Sequence, residues 1–187
     1  MGEPPTFYWR HRASFSDIWS GYYTDEEPES MWVVEESGEV LGYLAGCVDT
    51  QRAPGDEKAI LRAMLRHGLL FRPGTAGFFW HSFRDVLRSG LPGGELDDPR
   101  WPSHLHIDLL PPARGRGAGK RLMEAWFSQL REQGSPGCHL GTIGENHAAI
   151  RFFEALGFRR HGEPSLVPGM RTPEGGRHHA QRMVADL

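Results

Sequence analysis

The chain has 187 residues, of which 39% are hydrophobic, and its formal net charge at pH 7 is −3. This size and hydrophobic content allow one domain with its own core and exclude a disordered chain. The net negative charge excludes the broad basic surface that nonspecific nucleic-acid binding requires. No apolar run forms an N-terminal leader or approaches the roughly 18 residues of a membrane-spanning helix. We therefore expect a cytoplasmic protein whose partners include neither nucleic acid nor a membrane.

The first half of the chain predicts helices around a strand hairpin. A helical spacing of three and four residues separates four apolar side chains: Phe15, Ile18, Trp19 and Tyr22. The apolar runs Met31–Val34 and Val40–Val48 are joined by "EESGE", which predicts an antiparallel hairpin. Residues 49–102 contain two helical stretches and a connector rich in proline and glycine. We interpret this segment as a helical insertion within a single domain spanning residues 1–187.

Strands and helices alternate in the second half of the chain. "HLHIDLL" predicts a strand, and "GKRLMEAWFSQLREQG" predicts a helix that ends at Gly134. "CHLGTI" predicts the next strand, and "NHAAIRFFEALGF" predicts a helix with Asn146 near its start and Gly157 at its end. "HHAQRMVADL" predicts a last strand. This alternation indicates an α/β or α+β fold in which helices cover a sheet.

The loop "RGRGAGKR" joins a predicted strand to a predicted helix, and its spacing separates three kinds of phosphate-binding loop. A P-loop needs a glycine and a hydroxyl residue where this chain has Arg114 and Arg121. A dinucleotide-binding loop needs G-x-G-x-x-G, whereas Gly115, Gly117 and Gly119 are evenly spaced by two. The remaining pattern is Arg114-x-x-Gly117-x-Gly119.

Elementary electrostatics favours an anion at this loop. The first turn of a helix exposes backbone N–H groups and a partial positive charge, and glycines let a pyrophosphate approach those donors closely. Arg114, Arg116 and Lys120 add positive charge. The alternative is a glycine-rich turn whose arginines are merely solvated.

The glycine loop and the segment "ENHAAIRFFEALGF" together resemble the GNAT acyltransferases. Their patterns, R/Q-x-x-G-x-G/A and N-x-x-A-x-x-F-Y-x-x-x-G-F, occur here in the same order and at the expected separation. The similarity extends from about Ser103 to the C-terminus, and the hairpin Met31–Val48 is similar to the family's second and third strands. More narrowly, "PSHLHIDLLPPARGRGAGKRL" and "GSPGCHLGT" resemble the acetyltransferase-like domain of O-GlcNAc hydrolases and its stand-alone bacterial relatives.

This resemblance implies a fold, a cosubstrate and a set of binding residues. The fold is a mixed central sheet flanked by helices, which splays after its fourth strand and has the helical insertion before that strand. Acetyl-CoA lies in the V between the splayed strands, and an amine of a small molecule or protein attacks its thioester directly. The implied cofactor-binding residues are Leu109, Leu110, Arg114, Gly115, Arg116, Gly117, Ala118, Gly119, Lys120, Asn146 and Phe153.

The resemblance also implies a role for each of these residues. Leu109 and Leu110 offer backbone partners to the pantetheine arm, and the loop Arg114–Lys120 cradles the pyrophosphate. Asn146 hydrogen-bonds the pantetheine. Phe153 stands where many family members have a tyrosine that is thought to protonate the departing thiolate, and a phenyl ring cannot donate that proton.

The strand "HLHIDLL" contains the candidate catalytic residues. With a period of two, His104, His106 and Asp108 share one face of the strand. In one interpretation a histidine, His106 before His104, accepts the proton of the amine, and Asp108 fixes its tautomer. In the other, all three are hydrogen-bonded groups of the core.

Two further functions remain open at this stage. Because Phe153 cannot act as an acid, the chain could be a degenerate acyl-CoA-binding or interaction module. The pattern H-x-H-x-D is similar to part of the metallo-β-lactamase-like hydrolase motif, but Leu109 replaces its next histidine, and His178 and His179 are distant ligand candidates. We expect no metal.

The sequence says little about the part of the protein that would bind the acceptor amine. A lid, a homodimer contact and a wall of the acceptor pocket are the roles open to the insertion. Acidic residues that could attract a cationic amine are Asp25, Glu26, Glu27, Glu29, Glu95, Asp97 and Asp98.

Overall fold

Five α-helices and six strands have defined bounds within the described residues, which in the computed structural model are 13–14, 17, 20–53, 56–69, 73–90, 96–172 and 175–187. The helices are α1 (Gly21–Asp25), α2 (Asp56–His67), α3 (Pro73–Ser89), α4 (Ala118–Glu132) and α5 (His147–Glu154). The strands are β1 (Met31–Glu36), β2 (Glu39–Cys47), β3 (Ser103–Leu109), β4 (Gly137–Ile143), β5 (Arg159–Arg171) and β6 (Arg177–Asp186). Across these ranges, no helix combines the length and the apolar character needed to cross a bilayer.

The strands form one mixed sheet in the order β1-β2-β3-β4-β6-β5. β3 and β4 are parallel, as their connection through α4 requires, and the other neighbouring pairs are antiparallel. The predicted α/β (α+β) class, with a mixed sheet flanked by helices, is confirmed. The resemblance matches β1 and β2 to the family's second and third strands. β3, the third strand of the described residues, therefore corresponds to the family's fourth strand.

The sheet splays between β3 and β4. Their register contains only two residue pairs, Ser103 with Cys138 and His104 with His139. On its other edge, β3 pairs with β2 from His104 through Leu109. The parallel strands therefore separate after His104, and a V opens between their carboxyl ends at the level of His106–Leu109.

Helix α4 forms the core on one face of the sheet. Its apolar side chains recur at helical spacing, and the buried ones are Leu122, Met123, Trp126, Phe127 and Leu130. The indole of Trp126 lies directly over Gly46 in β2, where a Cβ atom would come within 2.5 Å of the ring. Gly46 therefore permits the close approach of α4, whose buried side chains belong to the largest hydrophobic cluster among the described residues.

The insertion between β2 and β3 is tied to the sheet by α3, which packs against β5. Asp85, only 1% exposed, forms an ion pair of 2.7 Å with Arg171 and accepts a hydrogen bond of 3.0 Å from the Gly169 N–H. These contacts hold the pKa of Asp85 at about 2, chiefly through the hydrogen bond from Arg171. Helix α3 is thus anchored to the C-terminal hairpin by a buried charge pair.

Two differences from the sequence predictions concern element bounds. No strand is predicted between Gly157 and His178, but β5 occupies Arg159–Arg171. This strand has two prolines and two glycines and lies at the sheet edge, and its register with β6 is interrupted twice, so apolar alternation is weak. The helix predicted around Tyr22 is present as α1, whereas Phe15, Ile18 and Trp19 lie outside the described residues.

Candidate functional site

The glycine loop lies at the carboxyl end of β3, beside the V. Gly115 and Gly117 adopt φ angles of +71° and +76°, a conformation that residues with a Cβ rarely adopt. Gly117 is the N-cap of α4, and no side chain caps the helix there. Because the N–H groups of a first helical turn have no intrahelical acceptor, those of Ala118, Gly119 and Lys120 are suited to bind an anion.

Gly119 has a packing role in addition to its place in the loop. A Cβ atom there would lie 3.1 Å from the ring of Phe152 and 3.2 Å from the Leu109 side chain. A larger residue at position 119 would push the Phe152 and Leu109 side chains back by a few tenths of an ångström.

The cationic side chains of the loop already have partners within the protein. Arg114 Nε donates to the Leu109 carbonyl at 2.9 Å, and Arg116 forms a bidentate pair with Glu36 at 2.7 and 2.8 Å. This pair holds the pKa of the Glu36 carboxyl below its usual range. Lys120 lies 3.6 Å from Glu124. A pyrophosphate bound by Arg116 must therefore compete with Glu36.

Arg121, in the first turn of α4, is a further cation beside the loop, and the sequence did not identify it as a candidate binding residue. One of its guanidinium nitrogens lies 3.8 Å from the position of a Cβ atom on Gly117. Arg121 and Arg116 line a cleft of about 260 Å³ between the loop and the β1–β2 hairpin. Helical geometry could have identified this residue, because position 121 is one turn after the N-cap Gly117.

The backbone at the end of β3 distinguishes the two sides of the strand. The Leu110 N–H donates to the Leu41 carbonyl of β2 at 2.8 Å. Because N–H groups alternate in direction along a strand, the N–H groups of Leu109 and Ile107 point the other way, into the V. Of the two predicted backbone positions, Leu109 therefore presents its N–H to the V, while its carbonyl already accepts from Arg114.

The polar face predicted for β3 is present and runs from the interior to the mouth of the V. His104 is 5% exposed, His106 is half-buried and Asp108 is exposed. The neighbouring β4 residue His139 is 2% exposed and hydrogen-bonds the Trp101 carbonyl at 2.8 Å. Helix α1 places Tyr23 over the buried end of this face.

His104 has a hydrogen bond at each ring nitrogen. Thr50 Oγ1 donates its one proton to the Pro102 carbonyl at 2.7 Å, so in its contact of 2.8 Å with His104 Nδ1 it acts as acceptor. The neutral ring then carries its proton on Nδ1, and Nε2 accepts from the Tyr23 hydroxyl at 2.7 Å. These bonds support the core interpretation for His104, and its catalytic role stays a prediction.

His106 and Asp108 lie where β3 and β4 have separated. The His106 ring packs edge-on against Tyr23, with 5.5 Å between ring centroids. Asp108 accepts a long hydrogen bond of 3.4 Å from the Tyr43 hydroxyl. Partial desolvation raises the pKa of Asp108 above its ordinary value and the pKa of Tyr43 to about 12. His106 is the predicted base candidate that combines a titratable ring with access to the V.

Of the two cofactor-binding residues predicted on α5, one lies at the start of the helix and the other lies in the core. Asn146 is the N-cap of α5, and its Oδ1 accepts from the Ala149 N–H at 3.1 Å, so its Nδ2 group is the part suited to a ligand. Phe153 is 4% exposed and packs against Phe158 in the core. Phe152 instead contacts the glycine loop at Gly119. The predicted cofactor contact of Phe153 remains a prediction.

The candidate metal ligands and several of the acidic residues named for the acceptor side have other partners in the part of the chain that the structure describes. Within the described ranges, no three His, Cys, Asp or Glu residues lie close enough to hold a metal ion. His178 and His179 each lie 3.3 Å from Glu145. Among the acidic residues, Glu27 accepts from Tyr22 and from the Val48 N–H.

The remaining acidic residues have mixed surroundings. Asp97 accepts from Gln51, and Asp98 pairs with Arg100. Glu95 lies outside the described residues. Several of these carboxylates are therefore engaged within the protein rather than open to a cationic acceptor.

Comparison with known proteins agrees with this geometry. The model of the acetyltransferase (GNAT) family matches residues 74–158. Mycothiol acetyltransferase of Nocardiopsis dassonvillei is 36% identical over 92 residues, which are 46% of this chain and 24% of that protein. The chain thus matches about a quarter of the length of this relative.

Solved structures have the same fold. SsHAT superimposes with a TM-score of 0.61 at 23% identity, over 99% of this chain and 86% of that chain. The structure of yncA of Salmonella typhimurium with its cofactor acetyl-CoA has a TM-score of 0.50 at 18% identity, over 84% and 64% of the two chains. The fold of this chain is therefore the GNAT fold.

Proposed function

We propose that this chain, which has the GNAT fold, is an acetyltransferase that moves the acetyl group of acetyl-CoA to an amine. The observation that carries the proposal is the uncapped N-terminus of α4 beside a V in the sheet. The pyrophosphate binds at the N-terminus of α4, and the acyl-pantetheine lies in the V. The family match and the fold support this assignment.

Acetyl-CoA supplies the activated acyl group, and the protein supplies positioning. The N–H groups of Ala118, Gly119 and Lys120 hold the pyrophosphate together with Arg114 and, once it leaves Glu36, Arg116. The strand N–H groups of Ile107 and Leu109 polarise the thioester carbonyl, and holding amine and thioester together removes most of the entropic cost of reaction.

His106 is the base in this proposal. As the amine attacks the carbonyl carbon, its nitrogen gains a bond and loses a proton to the imidazole, and the C–S bond breaks to release coenzyme A thiolate. Asp108, two residues further along the same face, favours the protonated ring electrostatically. Because Phe153 cannot donate a proton, solvent protonates the thiolate, which is a tolerable leaving group near neutral pH.

A binding module without turnover is the alternative. The burial of Phe153 among core aromatic residues favours it, because no hydroxyl occupies the position of the usual acid. A metal-dependent hydrolase has no supporting cluster in the part of the chain that the structure describes. The narrower relation to the O-GlcNAc hydrolase-associated domain also stands as a proposal, supported in part by the likeness to SsHAT.

Thiol release tests the proposed activity. The chain is mixed with acetyl-CoA and a panel of amines and peptides, and free coenzyme A is measured with a thiol reagent. We expect acceptor-dependent release that falls at least ~100-fold in His106→Gln, the scale of a lost general base. Acetyl-CoA binding without release from any acceptor would favour the binding module instead.

A further inference from the structure

We propose that His104 is a positioning residue for His106 and not a second base. In this arrangement His104 anchors the Tyr23 hydroxyl, and the Tyr23 ring holds the His106 imidazole at the mouth of the V. The inference rests on the proposed function, because the orientation of His106 matters only if the chain transfers an acyl group.

The first step of the argument is that the His104 ring nitrogens are both engaged. Nδ1 donates to Thr50 and Nε2 accepts from Tyr23, at 2.8 and 2.7 Å. The ring is 5% exposed and lies in the part of β3 that still pairs with β4. An amine in the V therefore meets His106, two residues further towards the splayed end, before it could reach His104.

The second step is that Tyr23 contacts both histidines. Its ring lies edge-on to His104 and to His106, with centroid separations of 5.9 and 5.5 Å. Such edge-to-face contacts are favourable and directional, so a fixed tyrosine ring limits the rotation of its neighbour. Tyr23 is itself 6% exposed, and its hydroxyl bond to His104 joins residues 81 positions apart.

The third step is that tertiary contacts, the Tyr23–His104 bond among them, place α1 over the sheet. The helix has only five residues and no side-chain cap at its N-terminus. Isolated helices of this length are unstable, so tertiary contacts must hold α1 over the sheet. The titratable groups facing this region from the surrounding elements are Tyr22, Tyr23, Glu27, Tyr43, Cys47, His106, Asp108 and His139.

Four variants separate anchoring from proton transfer. In His104→Gln the amide oxygen lies near the former Nε2 position and can accept from Tyr23, but the side chain cannot titrate. His104→Ala removes the anchor, Tyr23→Phe removes the hydroxyl and keeps the ring, and His106→Gln removes the proposed base. Turnover, the pH–rate profile, acetyl-CoA affinity and the melting temperature are measured for each, together with the imidazole NMR signals of His106.

If His104 positions His106, His104→Gln keeps roughly a third or more of kcat and the wild-type pH–rate profile. His104→Ala and Tyr23→Phe lose about tenfold in kcat with acetyl-CoA affinity unchanged, because a misplaced base costs rate and not cofactor binding. The His106 NMR signals stay sharp in His104→Gln and broaden in His104→Ala. Should His104→Ala not fold, Tyr23→Phe and His104→Gln provide the same contrast.

Two results would overturn the proposal while acetyl transfer stands. One is a His104→Gln protein as inactive as His106→Gln, which would make His104 a base in its own right. The other is wild-type kcat and unchanged His106 signals in both His104→Ala and Tyr23→Phe. A wild-type chain that binds acetyl-CoA and releases no thiol would refute the function itself, and this inference with it.

Discussion

Burial divides the candidate residues of β3 and α5 into an interior set and a set at the V. His104 and Phe153 are nearly inaccessible and have interior partners, whereas His106 and Phe152 are partly exposed beside the V and the glycine loop. His104 is two positions from the accessible His106, and Phe153 is next to the accessible Phe152. Small sequence offsets therefore decide which side chain can meet a ligand.

Restoring a tyrosine at position 153 tests the role of the missing acid. We expect Phe153→Tyr to lower the free energy of unfolding by about 1–3 kcal/mol, because the hydroxyl enters an apolar cluster without a partner. Thiol release should not accelerate. Phe152→Tyr, at a half-buried position, is the matched control and should cost less stability.

Urea unfolding and turnover of both tyrosine variants measure these effects. A rise in turnover of more than about threefold in Phe153→Tyr would instead place position 153 in contact with the leaving thiolate.

Sequence spacing identified the face of β3 and the glycine loop but not the partners of their side chains. Alternation alone places His104, His106 and Asp108 together. The burial of His104 depends on Tyr23 and Thr50, which are 81 and 54 positions away. Similarly, the pairing of Arg116 with Glu36 spans 80 positions. Local patterns carry no information about contacts of this range.

At the level of elements, α3 and β5 form a unit that connects the insertion to the sheet. Asp85 and Arg171 are the charged groups at its centre, and Gly169 is packed so closely that a Cβ atom there would clash with α3. The sequence indicated α3 by its helical period. It did not indicate β5, whose edge position and prolines remove the apolar alternation that marks a strand.

The buried ion pair predicts a pH dependence of stability. The pKa of Asp85 is about 2 in the folded chain and 3.8 ordinarily, so the unfolded state binds its proton first as the pH falls. The associated stability is fully present above pH 4 and is lost between about pH 4 and 2; a shift of this size corresponds to at most about 2 kcal/mol.

Urea unfolding at a series of pH values checks this dependence. Asp85→Asn should be less stable at pH 7, because Arg171 loses its counter-charge, and its stability should fall less steeply between pH 4 and 2 than that of wild type. Glu36→Gln, which breaks an exposed pair, is the control and should change stability little. Identical slopes in wild type and Asp85→Asn would mean that Asp85 does not carry the acid sensitivity.

For the molecule as a whole, a splayed mixed sheet and an uncapped helix N-terminus meet at one edge. The sequence predicted this architecture because the elements of the second half other than β5 have a clear period, because Gly134 and Gly157 end its two helices, and because two motifs occur in the expected order. The sequence left three roles open for residues 49–102, and a choice among them depends on how this segment packs on the sheet. That packing arises from long-range contacts such as Asp85 with Arg171, so the acceptor itself was not predictable.

Calorimetric titration with acetyl-CoA, using coenzyme A, ATP and NAD for comparison, tests the central claim most directly. The account predicts binding of the coenzyme A pair with Kd on the order of 1–100 μM and much weaker binding of the other two. Gly117→Ala should weaken acetyl-CoA binding about tenfold, because it alters the N-cap of α4. Gly134→Ala imposes a similar left-handed strain at the other end of α4 and should leave acetyl-CoA binding unchanged. No binding of acetyl-CoA, or equal weakening by the two substitutions, would contradict the assignment of this loop to the cofactor.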